Sequence, residues 1–174
     1  MNGKIIAIVI LGAALIVGAG IYYAQVYAYY RPVPPDSPRA QVRLTPSGGG
    51  AAVPVPASDF RGIDADSSPL RFRACFTLPG APATLRESYV TLEGAEPLIA
   101  PGWFDCFDAG KIAGALEDGE AVAFLGEKNI EYGIDRIVAV FPDGRAYAWN
   151  RINRCGEVVF EGKPAPADCP PPPQ

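Results

Sequence analysis

The sequence predicts an α+β protein: an N-terminal transmembrane helix, a Pro/Gly-rich linker, and one small domain of antiparallel strands with one or two short helices. Three observations lead there. The first thirty residues are apolar and almost free of charge, and the next stretch is crowded with proline and glycine. Only the region beyond shows the two-residue and 3.6-residue periodicities of packed strands and helices. The expected boundaries are 1–30 for the anchor, 31–57 for the linker, 58–162 for the globular domain and 163–174 for a Pro-rich disordered tail.

Residues 5–24, IIAIVILGAALIVGAGIYYA, carry no charge. Twenty residues at helical rise cover about 30 Å, the hydrocarbon thickness of a bilayer. Tyr22, Tyr23, Tyr27, Tyr29 and Tyr30 follow as an interfacial aromatic belt. A cleaved signal peptide ending near Val26–Ala28 is the competing reading. The apolar run is longer than a usual signal core, so an uncleaved signal-anchor is expected, with the bilayer contacted through residues 5–30. Ala14/Gly18 and Gly20/Ala24 sit four apart, a spacing that lets two anchors pack as a homo-oligomer. Arg31, Arg39 and Arg43 after the anchor argue against an N-in orientation. The even number of cysteines argues for it, because it suits an oxidising compartment. N-in, C-out is the expected topology.

Residues 31–57 hold seven prolines and the run Gly48–Gly50, which read as a spacer, with AQVRL a weak strand. In PLRFRACFTL, Leu70, Phe72, Ala74 and Phe76 alternate with Arg71, Arg73, Cys75 and Thr77, predicting a half-buried strand. ATLRESYV reads as a short helix with Thr84 and Glu87 at capping-box spacing. DAGKIAGALEDG is a clearer helix, with Asp108 as N-cap, Ala109, Ile112, Ala113 and Leu116 on one face, and Gly119 as its stop. AVAFLG is a strand. RIVAVFPDGRAYAW is a hairpin around Pro142-Asp143-Gly144, with a register the pattern leaves open. EVVFEG reads as a last strand.

Composition excludes more chemistry than it suggests. A net charge of −4 lacks the basic balance of a nucleic-acid binder. The chain contains no histidine, which excludes Ser-His-Asp and Cys-His catalysis, His-ligated zinc and axial-His haem. No P-loop, dinucleotide or G-x-S-x-G motif is present. No catalytic, cofactor-binding or metal residue is therefore expected, and no cofactor.

Cys75, Cys106, Cys155 and Cys169 contain no CxxC pair and allow three connectivities. The expected pairs are Cys75–Cys106, both inside the domain, and Cys155–Cys169, tying the last element to the tail. Closing such loops is worth about 3–4 kcal/mol in the chain-entropy model. Buried, reduced thiols are the alternative. A sharper alternative is a thiol-redox or enzymatic accessory centred on Cys75 or Cys106, with Arg71 and Arg73 lowering the pKa of Cys75. Asp59, Asp64 and Asp66 fit turns and caps better than a cation loop. Trp103, Phe104, Phe107, Tyr147 and Trp149 are core candidates, and the first three are also the best interaction candidates if exposed.

The segments MNGKI, YYAQVYAYY, SPLRFRACF, EPLIAPGWFDCFDA and VAVFPDGRAYAW together resemble an uncharacterised alphaproteobacterial family of small single-pass membrane-anchored proteins. Some similar sequences carry an automatic histidine kinase label, which a chain without histidine or a nucleotide motif does not support. The resemblance includes Cys75 and Cys106 but neither Cys155 nor Cys169, and so favours the first pairing. The expected function is non-enzymatic: a periplasmic domain held at the inner membrane to interact with, or scaffold, an unidentified membrane or envelope partner; the alternative to that placement is the same domain facing the cytoplasm with four reduced cysteines.

Overall fold

The computed structural model describes residues 2–173. Helix α1 spans Gly3–Tyr23 and continues as a π-helical turn over Ala24–Ala28. The combined 26 residues are long and apolar enough to cross a membrane, and the domain covers none of the apolar window.

The domain is built on one antiparallel sheet in the order β1-β4-β5-β9-β8-β7-β6. Its strands are β1 (Arg31–Val33), β4 (Ser58–Asp64), β5 (Arg73–Thr77), β6 (Thr91–Leu92), β7 (Val122–Glu131), β8 (Ile134–Val140) and β9 (Arg145–Ile152). A separate ribbon pairs β2 (Arg43–Leu44) with β3 (Val53–Pro54). Three α-helices complete it: α2 (Pro82–Ser88), α3 (Ala109–Glu117) and α4 (Arg154–Phe160).

Hairpin register decides how the faces are used. Val140 pairs with Ala146 and Val138 with Ala148, which puts all four on one face with Phe72, Ala74, Phe76 and Phe124. Gly144, at φ +86°, makes the turn possible. The opposite face carries Ile63, Cys75, Ile137, Ala139 and Trp149, covered by Phe104, Phe107 and Ile112. Both faces are therefore buried, and the sheet is the middle layer of three.

Register also orients the domain. Arg31 pairs with Asp64, Ile63 with Arg73, and Arg73 with Trp149, so these residues share the end where the anchor enters. The Pro142–Gly144 turn and the start of β7 lie at the other end.

Four expectations are corrected. Residues 31–57 are not a spacer: they form β1, β2 and β3, and bury Val33, Ala40, Val42 and Leu44 against the first face. Proline suits this irregular cover because it fixes the backbone without needing a ladder hydrogen bond. EVVFEG is not a strand: its Glu157–Phe160 lie in α4 and the last two residues form the turn after it. Asn153 caps that helix by accepting from the N–H groups of Cys155 (3.0 Å) and Gly156 (3.1 Å), and Gly156 packs on the Gly133 backbone where no side chain fits. Helix α2 starts at Pro82 after Ala81, with no side-chain cap, so Thr84 and Glu87 form no capping box. The tail is tied down through Cys169, and Tyr132 Oη donates to the Pro170 carbonyl at 3.1 Å. In α3, Asp108 Oδ1 does accept from the Lys111 N–H (3.1 Å), and Gly119 follows at φ +74°.

Candidate functional site

A helix ends with four backbone carbonyls that have no intrahelical donor. In this chain that end lies where the anchor leaves its apolar run, and the domain satisfies two of those carbonyls. Trp103 Nε1–H donates to the Val26 carbonyl at 2.7 Å, and the Arg71 guanidinium donates to the Gln25 carbonyl at 3.3 Å. A cation is also favoured there by the helix dipole. Aromatic contacts extend the joint: Trp103 stacks on Tyr27, meets Tyr30 edge-on, and Tyr23 stacks on Tyr27. Arg71 lies over the rings of Tyr29 and Tyr30, 5.8 and 5.4 Å from their centroids.

The loop bearing Trp103 is held from within the domain. Arg73, at the anchor end of β5, is buried, and burial lowers its guanidinium to about 10. It donates to the carbonyls of Leu98 (2.8 Å) and Ile99 (3.1 Å), and to those of Leu70 and Phe72. Arg73 also sits over Phe107, 5.9 Å from the ring centroid. Leu98, Ile99 and Trp103 point outward, at 38%, 83% and 39% exposure.

The stretch PGWFDCFDAG thus divides its residues between two tasks. Phe104 and Phe107 are buried against the second sheet face, and Phe107 meets Trp149 edge-on. Trp103 alone of the three aromatic candidates faces out, toward the anchor. Cys106 forms a disulfide with Cys75, stapling this cover to β5, and Cys155 pairs with Cys169. No free cysteine exists among the described residues, so the activated-thiol reading of Cys75 or Cys106 is corrected: both sulfurs are bonded. Arg71 and Arg73, expected beside a thiolate, instead hold backbone carbonyls.

Two of the acidic candidates, Asp64 and Asp66, are occupied by arginines. Arg39 pairs with Asp64 at 3.2 Å, and Arg31 with Asp66 at 3.4 Å. Burial raises the Asp64 carboxyl despite Arg39. Arg39, Asp64 and Asp66 border a depression of about 370 Å³ with Glu131, Arg136 and Asn150. Arg136 stacks on Phe72 at 3.5 Å and donates to Asn150 Oδ1 at 3.0 Å. Within the depression Arg39 pairs with Asp64 and Asp66, and no nucleophile with an adjacent base lines it among the described residues. Asp59 adopts φ 54° and accepts from the Ser58 hydroxyl.

Sequence reasoning missed the cap itself. The tyrosine belt signalled an interface, but the partner carbonyls of Gln25 and Val26 have no sequence signature. The role of Arg73 was equally hidden, since a guanidinium that grips loop carbonyls looks like any arginine on a strand.

A family model matches residues 42–170, described as a family of unknown function (DUF6446). No curated protein and no solved structure matches the chain.

Proposed function

The chain belongs to the DUF6446 family of unknown function, and on that premise we propose that it is a non-enzymatic inner-membrane protein. It displays a disulfide-stapled α+β domain on the periplasmic side for a membrane or envelope partner. One observation carries this reading: the domain caps its own anchor, through Trp103 on Val26 and Arg71 on Gln25. Such a joint makes the apolar helix a working part of the folded protein rather than a leader to be removed. It also holds the domain in a fixed attitude at the membrane, which suits a scaffold.

The outward placement is supported by Cys75–Cys106 and Cys155–Cys169, since cytosolic thiols are kept reduced. The arginines after the anchor weigh the other way, and a reporter decides between them. Alkaline phosphatase fused after Gln174 is expected to be active in intact cells. Activity only from a reporter that works in the cytoplasm would overturn the orientation. Cross-linking in native membranes is expected to yield a higher-mass adduct; recovery of the monomer alone would count against a scaffold.

A further inference from the structure

We propose that the loop from Leu98 to Trp103 rests in the headgroup–acyl boundary of the leaflet from which the anchor emerges, giving the domain a second lipid contact beside the helix. The inference rests on the reading of residues 5–24 as a bilayer span.

Depth is the first argument. Residues 5–24 fill the roughly 30 Å hydrocarbon layer, which leaves residues 25–30 at the interface. The Trp103 indole is bonded to Val26 and stacked on Tyr27, so it shares that level. Trp and Tyr favour this zone because their rings are apolar and their polar atoms are not.

Composition and exposure are the second. The segment Pro97–Phe104 carries no charged residue. Leu98 and Ile99 expose large aliphatic side chains close in sequence to the indole, and Ile99 is 83% exposed. The same loop carries Trp103, which is joined to the anchor, so one membrane surface can take both.

Backbone satisfaction is the third. A loop entering an apolar phase is costly when its carbonyls lack donors. Here the Leu98 and Ile99 carbonyls accept from buried Arg73, inside the domain. The loop therefore presents side chains outward with those two carbonyls already paired. Arg71, over Tyr29 and Tyr30, adds a cation at headgroup level.

The test uses the full chain in vesicles of phosphatidylethanolamine and phosphatidylglycerol, with nitroxide groups placed shallow or deep on the lipid chains. Ile99→Cys, Glu120→Cys and Val17→Cys each receive an environment-sensitive fluorophore without reductant, since all four native cysteines are bonded. Glu120 is exposed beside the far end of β7 and reports bulk water. The expected result is a blue-shifted Ile99 probe, quenched several-fold more by shallow nitroxides than the Glu120 probe. The Val17 probe should respond to deep ones. An Ile99 probe as water-exposed as Glu120, with Val17 still quenched, overturns the loop contact and leaves the anchor standing. The same holds if the Ile99 probe is shielded only in native membranes, which would assign the loop to a protein partner. An unquenched Val17 probe overturns the anchor reading itself.

Discussion

The indole Nε1 of Trp103 donates to the carbonyl of Val26 at 2.7 Å, joining a domain loop to the last turn of the apolar helix 77 residues earlier. Replacing Trp103 by Phe keeps a ring for Tyr27 and removes the donor. A hydrogen bond in such a setting contributes about 1 kcal/mol. The expected result is faster backbone hydrogen exchange across residues 26–30 in Trp103→Phe. It should be faster again in the double variant with Arg71→Met, with the sheet unaffected. Unchanged exchange in both would mean that the joint is not made in solution.

The disulfides should be unequal. Cys75–Cys106 closes a separation of 31 residues and Cys155–Cys169 one of 14. Chain entropy assigns them about 3.7 and about 3 kcal/mol. The Cys75→Ser/Cys106→Ser protein should lose more denaturation free energy than the Cys155→Ser/Cys169→Ser protein. It should also release the Phe104–Phe107 cover from the sheet, seen as a change in Trp149 fluorescence.

Asn153 does two jobs with one amide. Its Oδ1 caps α4, and its Nδ2 donates to Asp135 (2.7 Å) and Asn129 (2.9 Å). Asp135 is buried, so Asn153→Ala removes a cap and strips a donor from a carboxylate. The expected loss is about 2–3 kcal/mol in equilibrium unfolding of the oxidised protein. Asn153→Asp keeps the cap oxygen yet faces Asp135 with a second negative charge. It should be no better than Asn153→Ala; full stability in it would remove the donor half of the account.

Acid should loosen the same cover. Hydrogen bonding to Arg61 lowers the Asp105 carboxyl, and the Lys111 backbone N–H lowers that of Asp108, both from the usual 3.8. Folded values below unfolded ones mean that the stabilisation is complete above 3.8 and disappears as pH falls through the lowered values. Burial raises Asp64, so its protonation works in the opposite direction and at higher pH, between its raised folded value and 3.8. Thermal midpoints of Asp105→Asn and Asp108→Asn should therefore fall less steeply on acidification than that of the parent. Parallel curves would show that these carboxylates are not linked to folding.

Local pattern carried much of the fold. Ala74 and Phe76 alternate with Arg73 and Cys75 in β5, although that strand is buried on both faces rather than half-buried and Pro69–Arg71 is a 3-10 turn; Asp108 caps α3, and Pro142-Asp143-Gly144 turns a hairpin. AQVRL reads as a weak strand, and its Arg43 and Leu44 form β2, but residues 53–55 have no period to read, and proline content signals an absence of ladder bonds rather than of packing. The EVVFEG segment shows a cap overruling β-branched propensity, since Asn153 and the Gly133–Gly156 contact decide the local backbone. Of the site, the aromatic belt was legible and its hydrogen-bond partners were not, because backbone carbonyls carry no residue identity.

The central claim is that the apolar helix stays on a mature protein whose four cysteines are all paired outside the cytoplasm. Intact-mass measurement of protein extracted from membranes, alkylated first without and then with reductant, tests it most directly. The account predicts a chain that retains residues 3–28, with no alkylation before reduction and four alkyl groups after it. A chain starting beyond Ala28, or one alkylated before reduction, would contradict it.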